Sequence, residues 1–255
     1  MDNNCSLSIK DFGRNKYIEV SDNIYVGKGV ALNTKIYRYT KFEHLINLLE
    51  TSKLYISNRK NFSDKREAGV KLDLKNSFRL TPYPINNHDE LLNSELSKRI
   101  EESRNICISC WTYDRLLKDY NNKSIENFLM WKSYSYNNVG IRITTTIKEL
   151  LFSIQNSEKT IVANDVIYKK ESADYFVNDS IFTKTEHYRH EDEFRLCMLS
   201  TEENACLPID AEQMINTITF SPFISKQYYK VLKEFLEGRY NFLNGKIEKS
   251  KIIEY

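Results

Sequence analysis

The sequence predicts a single α+β domain built on a bent mixed, mainly antiparallel sheet with peripheral helices. Short runs rich in aromatic and β-branched residues recur along the chain, amphipathic helical stretches alternate with them irregularly, and no Pro-, Gly- or Ser-rich linker divides the 255 residues. With 41% apolar and 13% aromatic residues but only 4 Pro and 7 Gly, the chain can bury a full core. It lacks the bias of a disordered or collagen-like sequence.

The elements follow in order. Residues 1–34 read as an N-terminal extension and 35–255 as the domain. Ile36-Tyr37-Arg38-Tyr39-Thr40 suits a strand, with Thr40 placed to cap the helix signalled by Phe42, Leu45, Ile46, Leu48 and Leu49. Leu54-Tyr55-Ile56-Ser57 returns as a second strand and leads into a polar turn over 58–65. Thr81 to Asn87, with two prolines and two asparagines, is a surface loop, and Leu91, Leu92, Leu96 and Ile100 mark an exposed helix over 89–104. Strands are expected at 106–111, 140–144, 162–168, 194–199 and 215–220, a short helix or turn at 129–136, and helices at 146–154 and 225–235. Residues 245–255 read as a hairpin-like tail ending in a short apolar strand, so the C-terminal part completes the domain with helix and strand.

Charge and composition exclude several classes of function. The 37 basic and 35 acidic side chains leave a formal charge of +2, too little for a nucleic-acid coat or a polybasic membrane binder. Met1 to Lys16 carries no apolar signal core, and no stretch approaches the roughly 20 apolar residues that span a bilayer. A cytoplasmic protein without a membrane partner is expected. Five scattered cysteines, an odd number, suit reduced thiols. Gly27-Lys28-Gly29 continues as neither a P-loop nor a Rossmann fingerprint.

Four constellations can carry chemistry. In Glu191-Asp192-Glu193-Phe194-Arg195, a strand would place Glu191, Glu193 and Arg195 on one face. Such a wall can bind ribose hydroxyls and stabilise positive charge on a sugar carbon, or it can be a solvated edge with ordinary ion pairs. Arg38 between Tyr37 and Tyr39 can hold a phosphate or carboxylate beside a stacked ring, or cross-link strands. Trp131 and Tyr134, three apart, can sandwich a flat ring or pack in the core. Asp64 and Glu67, after Phe62-Ser63, suit a capping box. Cys107-x-x-Cys110 would offer two metal ligands, but on an alternating strand they face opposite sides and packed thiols are the favoured reading; no metal is expected.

Together these blocks resemble a bacterial family known as a domain of unknown function, number twenty-nine seventy-one. The matching pieces are Tyr37-Arg38-Tyr39; Leu54-Tyr55-Ile56-Ser57 leading to Phe62-x-Asp64-x-x-Glu67; Met130-Trp131-x-x-Tyr134 with Gly140; and Glu191-x-Glu193-Phe194-Arg195, spanning residues 35–199. The chain departs from the family's usual Asn-Asp-Pro at Ser63-Asp64-Lys65 and from its usual Trp at Phe194. More distantly, an Arg on the first strand and a late Glu-x-Glu resemble the ADP-ribosyltransferase fold.

That resemblance implies NAD as co-substrate and an effector of the toxin, toxin–antitoxin or antiphage kind. Its acceptor would be nucleic acid or protein, and an antitoxin protein would be a partner. It implies Arg38 holding NAD, Glu193 stabilising the ribosyl cation and Glu191 orienting the acceptor. Tyr39 would join Arg38 at the cofactor, and Tyr55-x-Ser57 competes with Trp131-x-x-Tyr134 for the middle block. Asp64, Glu67 and Arg195 would be secondary. Two rivals are a non-catalytic nucleotide- or partner-binding module and a metal-assisted nuclease using Asp64, Glu67, Glu191 and Glu193.

Overall fold

Period-two burial in the strands decides how this domain is layered. A computed structural model describes residues 16–58, 61, 106–115, 126–135, 139–155, 158–169, 180–200 and 204–252. Its strands are β1 (Tyr17–Ser21), β2 (Ile24–Gly27), β3 (Lys35–Lys41), β4 (Lys53–Asn58), β5 (Ile106–Thr112), β6 (Gly140–Thr146) and β7 (Ile161–Asp165). There follow β8 (Ile167–Lys169), β9 (Thr183–Thr185), β10 (Glu193–Leu199), β11 (Asn204–Pro208), β12 (Thr217–Phe220) and β13 (Ile247–Lys249). The helices are α1 (Phe42–Thr51), α2 (Phe128–Ser135), α3 (Ile147–Ser153), α4 (Ala211–Met214) and α5 (Lys226–Arg239).

The main sheet has 11 strands in the order β1-β2-β7-β10-β5-β3-β6-β12-β13, with β4 and β11 branching from β5. Parallel ladders join β2 to β7 and β12 to β13; the others described in this sheet are antiparallel. The molecule is thus a single α+β domain with a mixed sheet and peripheral helices. One face, here the core face, carries Ile36, Trp111, Ile143, Phe194, Leu196 and Phe220 into one cluster with Leu45 and Leu48 of α1, Leu150 of α3 and Leu232 of α5. The opposite face carries Tyr37, Tyr39, Cys110, Thr112, Arg142, Glu193 and Arg195. It is covered by α2 and by residues 180–191, a segment of short 3-10 turns around β9.

Several expectations need correction. Residues 17–27 form a hairpin whose Ile24 and Val26 are buried in the main core, so this part of the N-terminal segment belongs to the sheet. The run 162–168 divides: β7 stays in the sheet, while β8 pairs with β9 in a separate ribbon. Among the described residues of the tail, 245–252, β13 runs parallel to β12 and not in a hairpin. Thr40 does not cap α1; Lys41 occupies that position without a side-chain bond, and Thr40 Oγ1 meets His44 Nδ1 at 3.2 Å. The expected turn over 58–65, loop 81–87 and helix 89–104 fall mostly or wholly outside the described residues, as do Asp64 and Glu67.

Gly140 shows why a glycine follows the Trp131-x-x-Tyr134 motif. A Cβ built on it would sit 1.8 Å from Ser135 Cβ and 3.1 Å from Ser135 Cα, where α2 ends against β6. Gly140→Ala is expected to cost about 1–3 kcal/mol, because the end of α2 must shift. A lowered urea midpoint with unchanged m-value checks this, and an unchanged midpoint refutes it.

Candidate functional site

The Glu-x-Glu segment is built as a cap followed by a strand. Residues 186–191 form a 3-10 turn that ends at Asp192, whose backbone is left-handed with φ 43. The Asp192 carboxylate accepts from the Arg115 backbone N–H at 2.9 Å and from its Nη2 at 2.7 Å. Asn127 caps α2 by accepting from the Leu129 and Met130 N–H groups, and its Nδ2 donates to His190 O at 3.1 Å. Helix α2 and the carboxylate segment are therefore fixed against each other.

Beyond Asp192, Glu193 and Arg195 point to the same face and pair with one another. Arg195 Nε donates to Glu193 Oε1 at 2.6 Å, Nη2 to Oε2 at 3.0 Å and Nη1 to Ile181 O at 2.6 Å. Lys184 Nζ lies 2.7 Å from Glu191 Oε2 and 3.5 Å from Glu193 Oε2. Burial pushes the Glu193 carboxyl up, but the Arg195 charge and hydrogen bonds, then Lys184, outweigh it and hold the pKa below the ordinary value. Glu193 is only 2% exposed and Arg195 fully buried, so the solvated-edge reading does not hold; this is a buried network on an interior strand. Glu191 lies in the preceding turn with its side chain 20% exposed.

Arg38 stands on the other face by register, since Tyr37 pairs with Thr112 and Glu193 pairs with Thr112. What links the two is a fork in the sheet. One edge of β5 pairs with β4 at Cys107 and Ile108 and with β3 at Thr112, which leaves residues 109–111 on that edge outside both ladders. The Arg38 guanidinium fills this opening. Its Nη1 donates to Ser109 Oγ at 3.1 Å, its Nη2 to Tyr55 O at 3.2 Å, and it lies 5.8 Å from the Trp111 ring centroid.

Burial lowers the Arg38 pKa, and the groups that oppose this are Cys110, Tyr134 and Tyr55, none of them a carboxylate. Among the described residues no ion pair matches its charge. Tyr134, 44% exposed, lies in electrostatic range of Arg38, Cys110, Glu191, Lys184 and Glu193. Tyr55 and Ser57 are half-buried on β4 beside the fork.

The expected aromatic pair separates. Trp131 is fully buried, edge-on to Tyr39 at 4.8 Å, and its Nε1 donates to Glu126. Tyr39 is buried too, and its hydroxyl donates to Asp114 at 3.0 Å. Both are core groups, while Tyr134 is exposed. Burial pushes the Asp114 carboxyl up to about 6 against the opposing charge of Arg142, which lies 3.5 Å away.

The structure thus places Tyr55, Ser57 and Tyr134 near Arg38 at the fork, while Glu191 joins Lys184, Glu193 and Arg195 in a network of its own. Cys110, legible in the sequence only as half of a Cys-x-x-Cys pair, lies beside Glu193, and Lys184 joins it without any local signal in the sequence. Among the described residues no group of three or more His, Cys, Asp or Glu side chains is placed to hold a metal ion, and Glu191 and Glu193 are engaged by Lys184 and Arg195. No helix of the described residues is long and apolar enough to cross a membrane. No family model, curated protein or solved structure matches the chain.

Proposed function

We propose that the cleft at the fork binds NAD and transfers its ADP-ribose to an acceptor. The observation that carries this reading is Arg38: a half-buried guanidinium without a described carboxylate partner, set in an opening of the sheet with Tyr55 and Tyr134 near it. Buried charge without a counter-charge is costly unless a ligand supplies one. Arg38 holds the dinucleotide, and the tyrosines offer ring faces to its planar groups. Membership in the domain family quoted above, and the role of a toxin or antiphage effector with a nucleic-acid or protein acceptor and a cognate antitoxin, rest on the motif resemblance alone.

The burial of the two carboxylates exchanges the roles that the motif suggests. Glu193 has both oxygens occupied by Arg195 and is closed from solvent, so it is a positioning residue. Glu191 is the carboxylate able to face a ribose. As the bond from ribose C1′ to the nicotinamide nitrogen breaks, its electron pair leaves with nicotinamide, and Glu191 stabilises the positive charge left on the sugar. The acceptor nitrogen or oxygen then attacks C1′ and releases its proton.

Glu191→Gln is expected to retain the fold and NAD binding while nicotinamide release and transfer of labelled ADP-ribose in a bacterial lysate fall at least a hundredfold. Full transfer by this variant overturns the assignment of Glu191. Stoichiometric NAD binding by the wild type, with no nicotinamide released, replaces the transferase with a binding module. Splitting labelled products between protease and nuclease digestion names the acceptor class.

A further inference from the structure

We propose that the pocket behind Arg38, between α1 and β4, is a binding site for a phosphate-type dianion, with Lys53 and Asn47 completing what Arg38 begins. The pocket has a volume of about 320 Å³, and its polar lining is Arg38, Thr40, His44, Asn47 and Lys53. Leu48, Leu54 and Ile143 form the apolar part of the wall. This inference deepens the reading of the fork by naming the ligand group that Arg38 takes, but its chemistry stands without any transfer reaction.

Two positive charges, on Arg38 and Lys53, face one cavity, and no described ion pair engages either of them. A carboxylate would match one of these charges; a phosphoryl group, carrying about −1.5 to −2 at neutral pH, matches both. A planar guanidinium also suits two phosphate oxygens at once. Asn47 and Lys53 approach from α1 and the start of β4, the elements on either side of the turn at Ser52, where the backbone is left-handed with φ 51. That turn leads the chain from the end of α1 directly into β4. Thr40 and His44 hold each other at 3.2 Å on the remaining wall, and Glu43, 3.6 Å from His44 Nε2, is the acidic group nearest to them.

The same chemistry has two sources, the pyrophosphate of NAD or a separate phosphate ion or monoester. Calorimetric titration of the full chain with inorganic pyrophosphate tests the site, and NAD competition distinguishes the sources. Saturable binding is expected, weakened at least tenfold in Lys53→Gln and in Asn47→Ala and falling steeply with salt. These variants should keep the wild-type melting temperature, because neither residue is in the core. Competition by NAD assigns the pocket to the dinucleotide, and binding alongside saturating NAD makes it a second site for a free phosphate. Failure to bind pyrophosphate, or equal binding by wild type and both variants, overturns the proposal. Pyrophosphate binding without nicotinamide release would retain the pocket and overturn the transferase.

Discussion

Glu193→Gln is expected to lower the unfolding free energy by about 3–5 kcal/mol, a large share of the margin of an ordinary domain. The substitution keeps the shape of the side chain but leaves the fully buried Arg195 without its carboxylate and loosens Lys184. Equilibrium unfolding in urea measures the loss; a change below about 1 kcal/mol would remove Glu193 from the structural role given to it. Replacing the pair together, as Glu193→Leu with Arg195→Met, should recover much of the stability, because no buried charge is then left alone. The pH dependence carries a matching sign. A carboxyl whose pKa is lowered on folding contributes stability that is present above the ordinary carboxylate range and is lost as pH falls through the folded value. The wild type should show that acid loss, and Glu193→Gln should lack this part of it.

Arg38→Met is expected to do the opposite: weaken NAD and pyrophosphate binding about a hundredfold while leaving the protein as stable as the wild type or more so. Truncating a buried charged contact to a ligand costs several kcal/mol of affinity. In the free protein, however, the guanidinium is desolvated, its partners are Ser109 Oγ, Tyr55 O and the Trp111 ring, and burial lowers its pKa. Ser109 Oγ still accepts from Trp111 Nε1 when Arg38 is gone. Thermal unfolding and calorimetry read the two effects separately. A destabilised variant with unchanged binding would make Arg38 a structural cross-link, as many strand arginines are.

Local pattern located most of the elements around the site, because residues such as Tyr37, Tyr39, Leu54 and Ile56 alternate or repeat over spans that one strand or helix covers. Strand β11 escaped because it is short and turns Cys206 to solvent. Strand β1 escaped because two of its apolar residues, Ile18 and Val20, are exposed or only half-buried. The site was legible as residue types and illegible as geometry. Whether Arg38 and Glu193 share a face depends on β5 lying between them, a long-range pairing that neither motif encodes. Likewise, Glu-x-Glu-Phe-Arg reads the same on a wet edge or a central strand, and only Lys184 and Ile181, brought in from β9 and the turn before it, close over it.

The branched order of the sheet also dictates when its ladders can form. β10 lies between β7 and β5, and β4 waits for β11, whose partners stand about 150 positions later in the chain. A chain emerging from the ribosome at roughly 5–20 residues per second cannot complete this sheet until residue 249 is free to pair. Such distant ladders fold slowly compared with helical bundles. A sheet built this way stays incomplete throughout most of its own synthesis, and its unpaired strand edges stay open for that interval.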